Sequence, residues 1–112
     1  MRTLAVFLLA SFPIFPETSP LEDAIVSARG GATNPDLKAR IAKVTTAAQG
    51  VIVWGQDYLF VAASPAPVTI SINQLPPVSM AQIPESNSWM LLTKLRTGVT
   101  HSYQFFSDGK PL

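Results

Sequence analysis

A single histidine, His101, stands in Thr100-His101-Ser102-Tyr103, the one stretch where an imidazole has hydroxyl-bearing neighbours on both sides. A hydrolytic triad needs more than that: a nucleophile on a strained turn and a carboxylate aimed at the ring. No G-x-S-x-G elbow occurs in the chain. His101 therefore reads as a half-exposed packing residue on a strand, and no catalytic residue is assigned. Metal binding would require a second His or a Cys at ligand spacing, and the chain has neither. The six glycines form no dinucleotide or phosphate loop, so no cofactor is expected. Paired carboxylates for glycosidase-type chemistry would have to face each other across a cleft. Glu22 and Asp23 instead adjoin a helix start, where negative charge is favourable, and Asp57 and Asp108 lie in or beside turns, which suit Asp.

The aromatic residues are the stronger candidates for binding. Trp54, Tyr58, Trp89, Tyr103 and Phe105 could stack on sugar rings if one sheet face exposed them. Trp54 and Trp89 are the two ligand-binding candidates on that view. Strand parity gives the competing expectation: Trp89 and Leu91 share one face, Tyr103 and Phe105 share one face of the adjoining strand, and if those faces coincide the aromatics pair across strands in the core.

Composition narrows the partners. Hydrophobic residues make up 47% and charged residues 13%, which excludes a disordered chain. A formal charge of +1 without a Lys/Arg cluster gives no electrostatic case for nucleic acid. Zero cysteines exclude disulfides, thiol catalysis and Cys-type zinc sites. At the N-terminus, Arg2 precedes an apolar run, Leu4 to Ala10 and Phe12 to Phe15, broken by Pro13. That run is too short to span a bilayer. It has the form of an export leader, so residues 1–19 are expected to be a signal segment and the chain extracytoplasmic, without a stable membrane span.

Two short helices should follow as a lead over residues 20–49. Ser19-Pro20-Leu21-Glu22 has the form of a capping box with Pro at the first helical position. Leu21, Ile25 and Ala28 keep helical spacing until Gly30-Gly31. The second start is Asn34-Pro35-Asp36, with Asn34 as cap, an apolar stripe of Leu37, Ile41, Val44 and Ala48, and Gly50 as C-cap. Beyond Gly50 the period becomes strand-like. Val51–Trp54 and Tyr58–Ala63 flank a three-residue loop, Gly55-Gln56-Asp57. Val68, Ile70 and Ile72 alternate with polar residues, and Ser79–Ile83 is a further strand candidate. Trp89–Leu95 and His101–Ser107 complete the set as one antiparallel hairpin turning at Arg96-Thr97-Gly98. The chain ends three residues after Asp108-Gly109, a turn that should begin another strand. These features predict a mostly β fold, a β-sandwich over residues 50–112 with the helices as an N-terminal extension.

The pattern Trp89-x5-Leu95-x2-Gly98-x2-His101-x-Tyr103-x-Phe105-x2-Asp108-Gly109 resembles the end of early-set immunoglobulin-like domains. Such domains precede the catalytic domains of isoamylase-type glycoside hydrolases and enterochelin (ferric enterobactin) esterases. The stretches Val53–Ala62 and Arg96–Tyr103 look more specifically like the N-terminal region of exported enterochelin-esterase-type enzymes, and the resemblance covers about residues 20–112. It implies an immunoglobulin-like sandwich, incomplete at its C-terminus. It also implies a structural role for Trp89, Gly98, His101, Tyr103, Phe105, Asp108 and Gly109. The implied partner is a C-terminal α/β-hydrolase domain of the same polypeptide, which carries the Ser-His-acid chemistry. On that footing the chain is a non-catalytic module that packs on the hydrolase and helps position its substrate. The alternatives are a glycogen- or starch-associated carbohydrate-binding module and a free-standing periplasmic interaction domain that lends an open edge strand to a partner.

Overall fold

The computed structural model describes residues 19–112; the expected signal segment falls almost wholly outside them. Helix α1 (Pro20–Arg29) starts as its sequence dictates, with the Ser19 hydroxyl accepting from Leu21 N at 3.2 Å and Pro20 in the first turn. Helix α2 (Leu37–Ala42) is shorter than its apolar stripe suggested. The β-branched run Val44-Thr45-Thr46 suits a helix poorly, and the Thr45 hydroxyl accepts from Ala47 N instead. Val44 and Ala48 therefore leave the helical face, and Gly50 is no C-cap but a strand residue opposite Val61. Asn34 does not cap α2. Its Oδ1 accepts from Asp36 N in a local turn, and its Nδ2 donates to the Ser27 carbonyl, tying the second helix to the first.

Eight strands follow: β1 (Gln49–Trp54), β2 (Asp57–Ala63), β3 (Val68–Ile72), β4 (Val78–Ser79), β5 (Ala81–Gln82), β6 (Ser88–Lys94), β7 (Tyr103–Ser107) and β8 (Lys110–Pro111). They form two antiparallel four-stranded sheets, one ordered β1-β2-β6-β5 and the other β4-β3-β7-β8. The β1–β2 hairpin turns on two residues, not three, because Asp57 pairs with Trp54 inside the ladder. Gly55, at φ +65°, supplies the left-handed first position that such a loop needs. The candidate strand 79–83 is split. Val78-Ser79 pair with β3, Ala81-Gln82 pair with β6, and the buried Met80 marks where the chain changes sheets.

The expected hairpin between Trp89–Leu95 and His101–Ser107 does not form. β6 pairs with β2 and β5 in one sheet, while β7 pairs with β3 and β8 in the other. Layering is the physical reason. The first sheet is covered on both faces, and the near-continuous apolar run Trp89–Leu92 suits a doubly covered strand. One face carries Ile52, Leu59, Val61 and Met90 against Ala24, Ile25, Ala28 and Leu37 of the helices. The other presents Phe60 and Ala62 to Val68, Ile70 and Phe105 of the second sheet. β7 has one covered face, from which Phe105 enters the core between the sheets. The helices thus form a third layer of the packing. Asp108 and Gly109, both at positive φ, make the expected turn, and the short β8 follows it.

Candidate functional site

The side of the sandwich where the chain changes sheets is left open along half its length. β5 pairs only with Trp89 and Met90, so β6 has no outer neighbour among the described residues beyond Met90. The ladder fixes which groups are left over. The Ser88 carbonyl accepts from Ile83 on the outer side and Leu95 N donates to Gln56 on the inner side. Antiparallel alternation then turns the N–H and C=O of Leu92 and Lys94 outward. Beside this free edge lies a groove of about 380 Å³ between the sheets, lined by Ile70, Ile72, Leu75, Val78, Leu91 and Leu95 among others.

A tight turn closes one end of the groove. Asn73 and Gln74 both take positive φ, 54° and 64°, and Leu75 N donates to the Ile72 carbonyl at 3.1 Å. Asn accepts that conformation readily; Gln does so at a cost. The turn leaves Leu75 63% exposed, the most exposed large apolar residue among those described. It is held by Ser71, whose hydroxyl donates to the Leu75 carbonyl, and by His101.

His101 lies in the loop before β7 rather than on the strand, because β7 begins at Tyr103. One ring nitrogen, Nε2, sits 2.7 Å from the Arg96 carbonyl, and the other, Nδ1, sits 2.9 Å from Asn73 Nδ2. Ser102 N donates to Asn73 Oδ1, and Asn73 N donates to the Ser102 carbonyl. The histidine thus pins the β3–β4 turn of one sheet to the β6–β7 connection. Tyr58 packs edge-on against it with ring centroids 5.5 Å apart. The stack continues through Phe60, Tyr103 and Phe105 across the sandwich, so Tyr103 and Phe105 meet the first sheet face to face, not as neighbours on adjacent strands. Gly98, at φ +79°, lies in the same β6–β7 connection.

The two tryptophans are not brought together. Trp54 lies in the row Trp54–Asp57–Lys94 and Trp89 in the row Trp89–Ala62–Gln49, at opposite ends of the sheet and, five rows apart, on opposite faces. Trp54 is 39% exposed. Trp89 packs on the inter-sheet core and donates its indole N–H to the Ser64 carbonyl at 2.9 Å. No flat surface contains both.

One charged cluster escaped the sequence. Asp57 is 6% exposed and accepts from Arg29 at 2.6 Å and Lys94 at 3.1 Å, joining the end of α1 to β2 and β6. The Arg29 hydrogen bond, followed by that of Lys94, holds its carboxyl below the ordinary 3.8, against the opposing effect of burial. The basic residue in the last turn of a helix was the only available signal. A second groove, about 360 Å³, runs between α2 with its trailing loop and the helix-bearing face of the first sheet. Among the described residues no three acids or histidines converge as metal ligands, and no helix is long and apolar enough to cross a membrane.

No protein-family model, curated protein or solved structure matches the chain. The fold defines a class, a mostly β, sandwich-like chain of two antiparallel sheets with two short helices.

Proposed function

We propose that this chain is a non-catalytic docking module of the immunoglobulin-like, early-set kind. It packs on the α/β-hydrolase domain of an exported, extracytoplasmic enterochelin-esterase-like enzyme and helps position that domain's substrate. The observation that carries a docking role is the conjunction at the open side of the sandwich. Strand groups at Leu92 and Lys94, unpaired among the described residues, run along an apolar groove, and Leu75 is displayed at its end. An extended segment of a partner satisfies such an edge with main-chain hydrogen bonds, while the groove takes its alternate side chains. The resemblance over residues 20–112 supplies the identity of the partner.

Mixing the chain with a separately purified enterochelin-esterase-type hydrolase domain tests this by calorimetry. A complex is expected, and Leu75→Asp, which alters an exposed side chain, should weaken it about tenfold. Absence of binding, or binding indifferent to Leu75→Asp, would remove the proposed surface. Hydrolysis of a chromogenic short-chain ester by the chain alone, lost on changing one of its own residues, would overturn the non-catalytic role.

A further inference from the structure

The longest open edge lies on the far side of the same sheet. β1 is the outermost strand, with β2 as its one neighbour among the described residues. Ala48 accepts from Ala63 across the β1–β2 ladder, so alternation turns the N–H and C=O of Gln49, Val51 and Val53 outward. Natural edges are blunted by Lys, Pro, bulges or inward-pointing charge. Gln-Gly-Val-Ile-Val-Trp has no charge and no proline, and its register with β2 runs unbroken from end to end. Val53 and Trp54 remain 38% and 39% exposed beside it.

We propose that β1 pairs with β1 of a second copy, antiparallel about a two-fold axis at Val51, making one continuous eight-stranded sheet from the two four-stranded ones. Four features select a second copy. First, register: with Val51 opposite Val51, Gln49 faces Val53 of the second copy, and all three outward residues exchange both hydrogen bonds. Shifting the axis to Ile52 would leave Gln49 without a strand partner. Second, shape: on the helix-bearing face Ile52 then lies opposite Gly50 and Trp54 opposite Ala48, each bulky side chain against a small one. Third, charge: the strand brings no like charges together, and a formal charge of +1 leaves little repulsion between copies. Fourth, closure: the contact is isologous, so pairing stops at two and does not propagate.

The β1 edge lies on the opposite side of the sheet from the groove, so pairing there requires neither the groove nor the hydrolase partner. Sedimentation of the full 112-residue chain through the micromolar range should show a monomer–dimer equilibrium with no larger species. Val53→Pro deletes an outward N–H that no intramolecular ladder bond uses. It should weaken the dimer by about tenfold or more while the far-UV spectrum, and the thermal midpoint at dilutions where both proteins are monomeric, stay those of the wild type. If Val53→Pro does not fold, a thiol decides instead, since the chain has no cysteine. Facing Val51 Cα atoms would lie about 5.5 Å apart, within disulfide range, so Val51→Cys should cross-link on mild oxidation and Gln49→Cys should not. A monomer at every concentration, a dimer untouched by a folded Val53→Pro, open-ended oligomers, or cross-linking through Gln49→Cys in preference to Val51→Cys would each overturn it.

Discussion

Asn73 and His101, 28 residues apart in sequence, meet at 2.9 Å and lock each other's chemistry. Ser102 N–H can only donate, so the Asn73 oxygen faces it at 3.0 Å and the Asn73 amide N–H is left for His101 Nδ1. The Arg96 carbonyl can only accept, so Nε2 carries the proton. The neutral ring is therefore the Nε2–H tautomer, and nitrogen NMR of labelled chain should show Nδ1 unprotonated. His101→Ala should cost about 1–2 kcal/mol, as two net hydrogen bonds are lost. Combined with Asn73→Gly, which keeps the left-handed backbone, the losses should fall short of additive by about 0.5 kcal/mol or more. Strict additivity in urea unfolding would show that the two side chains do not act as a unit.

Gln74 sits beside Asn73 at φ 64°, where a side chain longer than Asn has no compensating local hydrogen bond. Gln74→Gly completes an Asn-Gly pair, the preferred filling for a two-residue turn with both φ values positive. It should raise the unfolding free energy by about 0.5–1 kcal/mol. A variant no more stable than the wild type would mean that the turn is relaxed as it stands.

Local chemistry was legible in the sequence and long-range pairing was not. Ser19, Pro20, Gly55 and the Asp108-Gly109 turn act within a few residues, and each does what its type requires. The alternation of Val68, Ile70 and Ile72 also reports its one buried face truthfully. Trp89–Leu92 misled because a strand buried on both faces shows no alternation, and nothing local tells which sheet it joins. For the candidate site, the residue types were visible but their company was not. His101 depends on Asn73, and the groove depends on β5 being too short to cover β6. Neither relationship leaves a periodic trace.

Ile25 is fully buried on α1 against the first sheet, whereas Val26, one residue on, is 51% exposed. Ile25→Ala should therefore cost about 2–5 kcal/mol, and Val26→Ala less than about 0.5 kcal/mol. The pair separates a helix that completes the core from one that merely precedes it. Near-equal, small losses on thermal unfolding would show that the strands hold together without the helical layer.

Asp57 gives the fold an acid-sensitive increment of stability. Its folded carboxyl titrates below the 3.8 of a free aspartate, chiefly through Arg29 and then Lys94, so the native state binds this proton less readily than the unfolded chain. The stabilisation is then fully present above pH 3.8 and is lost as pH falls from there through the lowered folded value. In Asp57→Asn the amide cannot titrate. Its stability should lie below that of the wild type at neutral pH, and the gap should close as the wild type loses its charge. Because Arg29 and Lys94 are 53% and 71% exposed, added salt should narrow the neutral-pH gap. Urea midpoints for the two proteins, followed from neutral pH to well below 3.8, test the assignment. Parallel acid limbs would place the acid-sensitive group elsewhere and leave Arg29 and Lys94 as surface charges that happen to lie near Asp57.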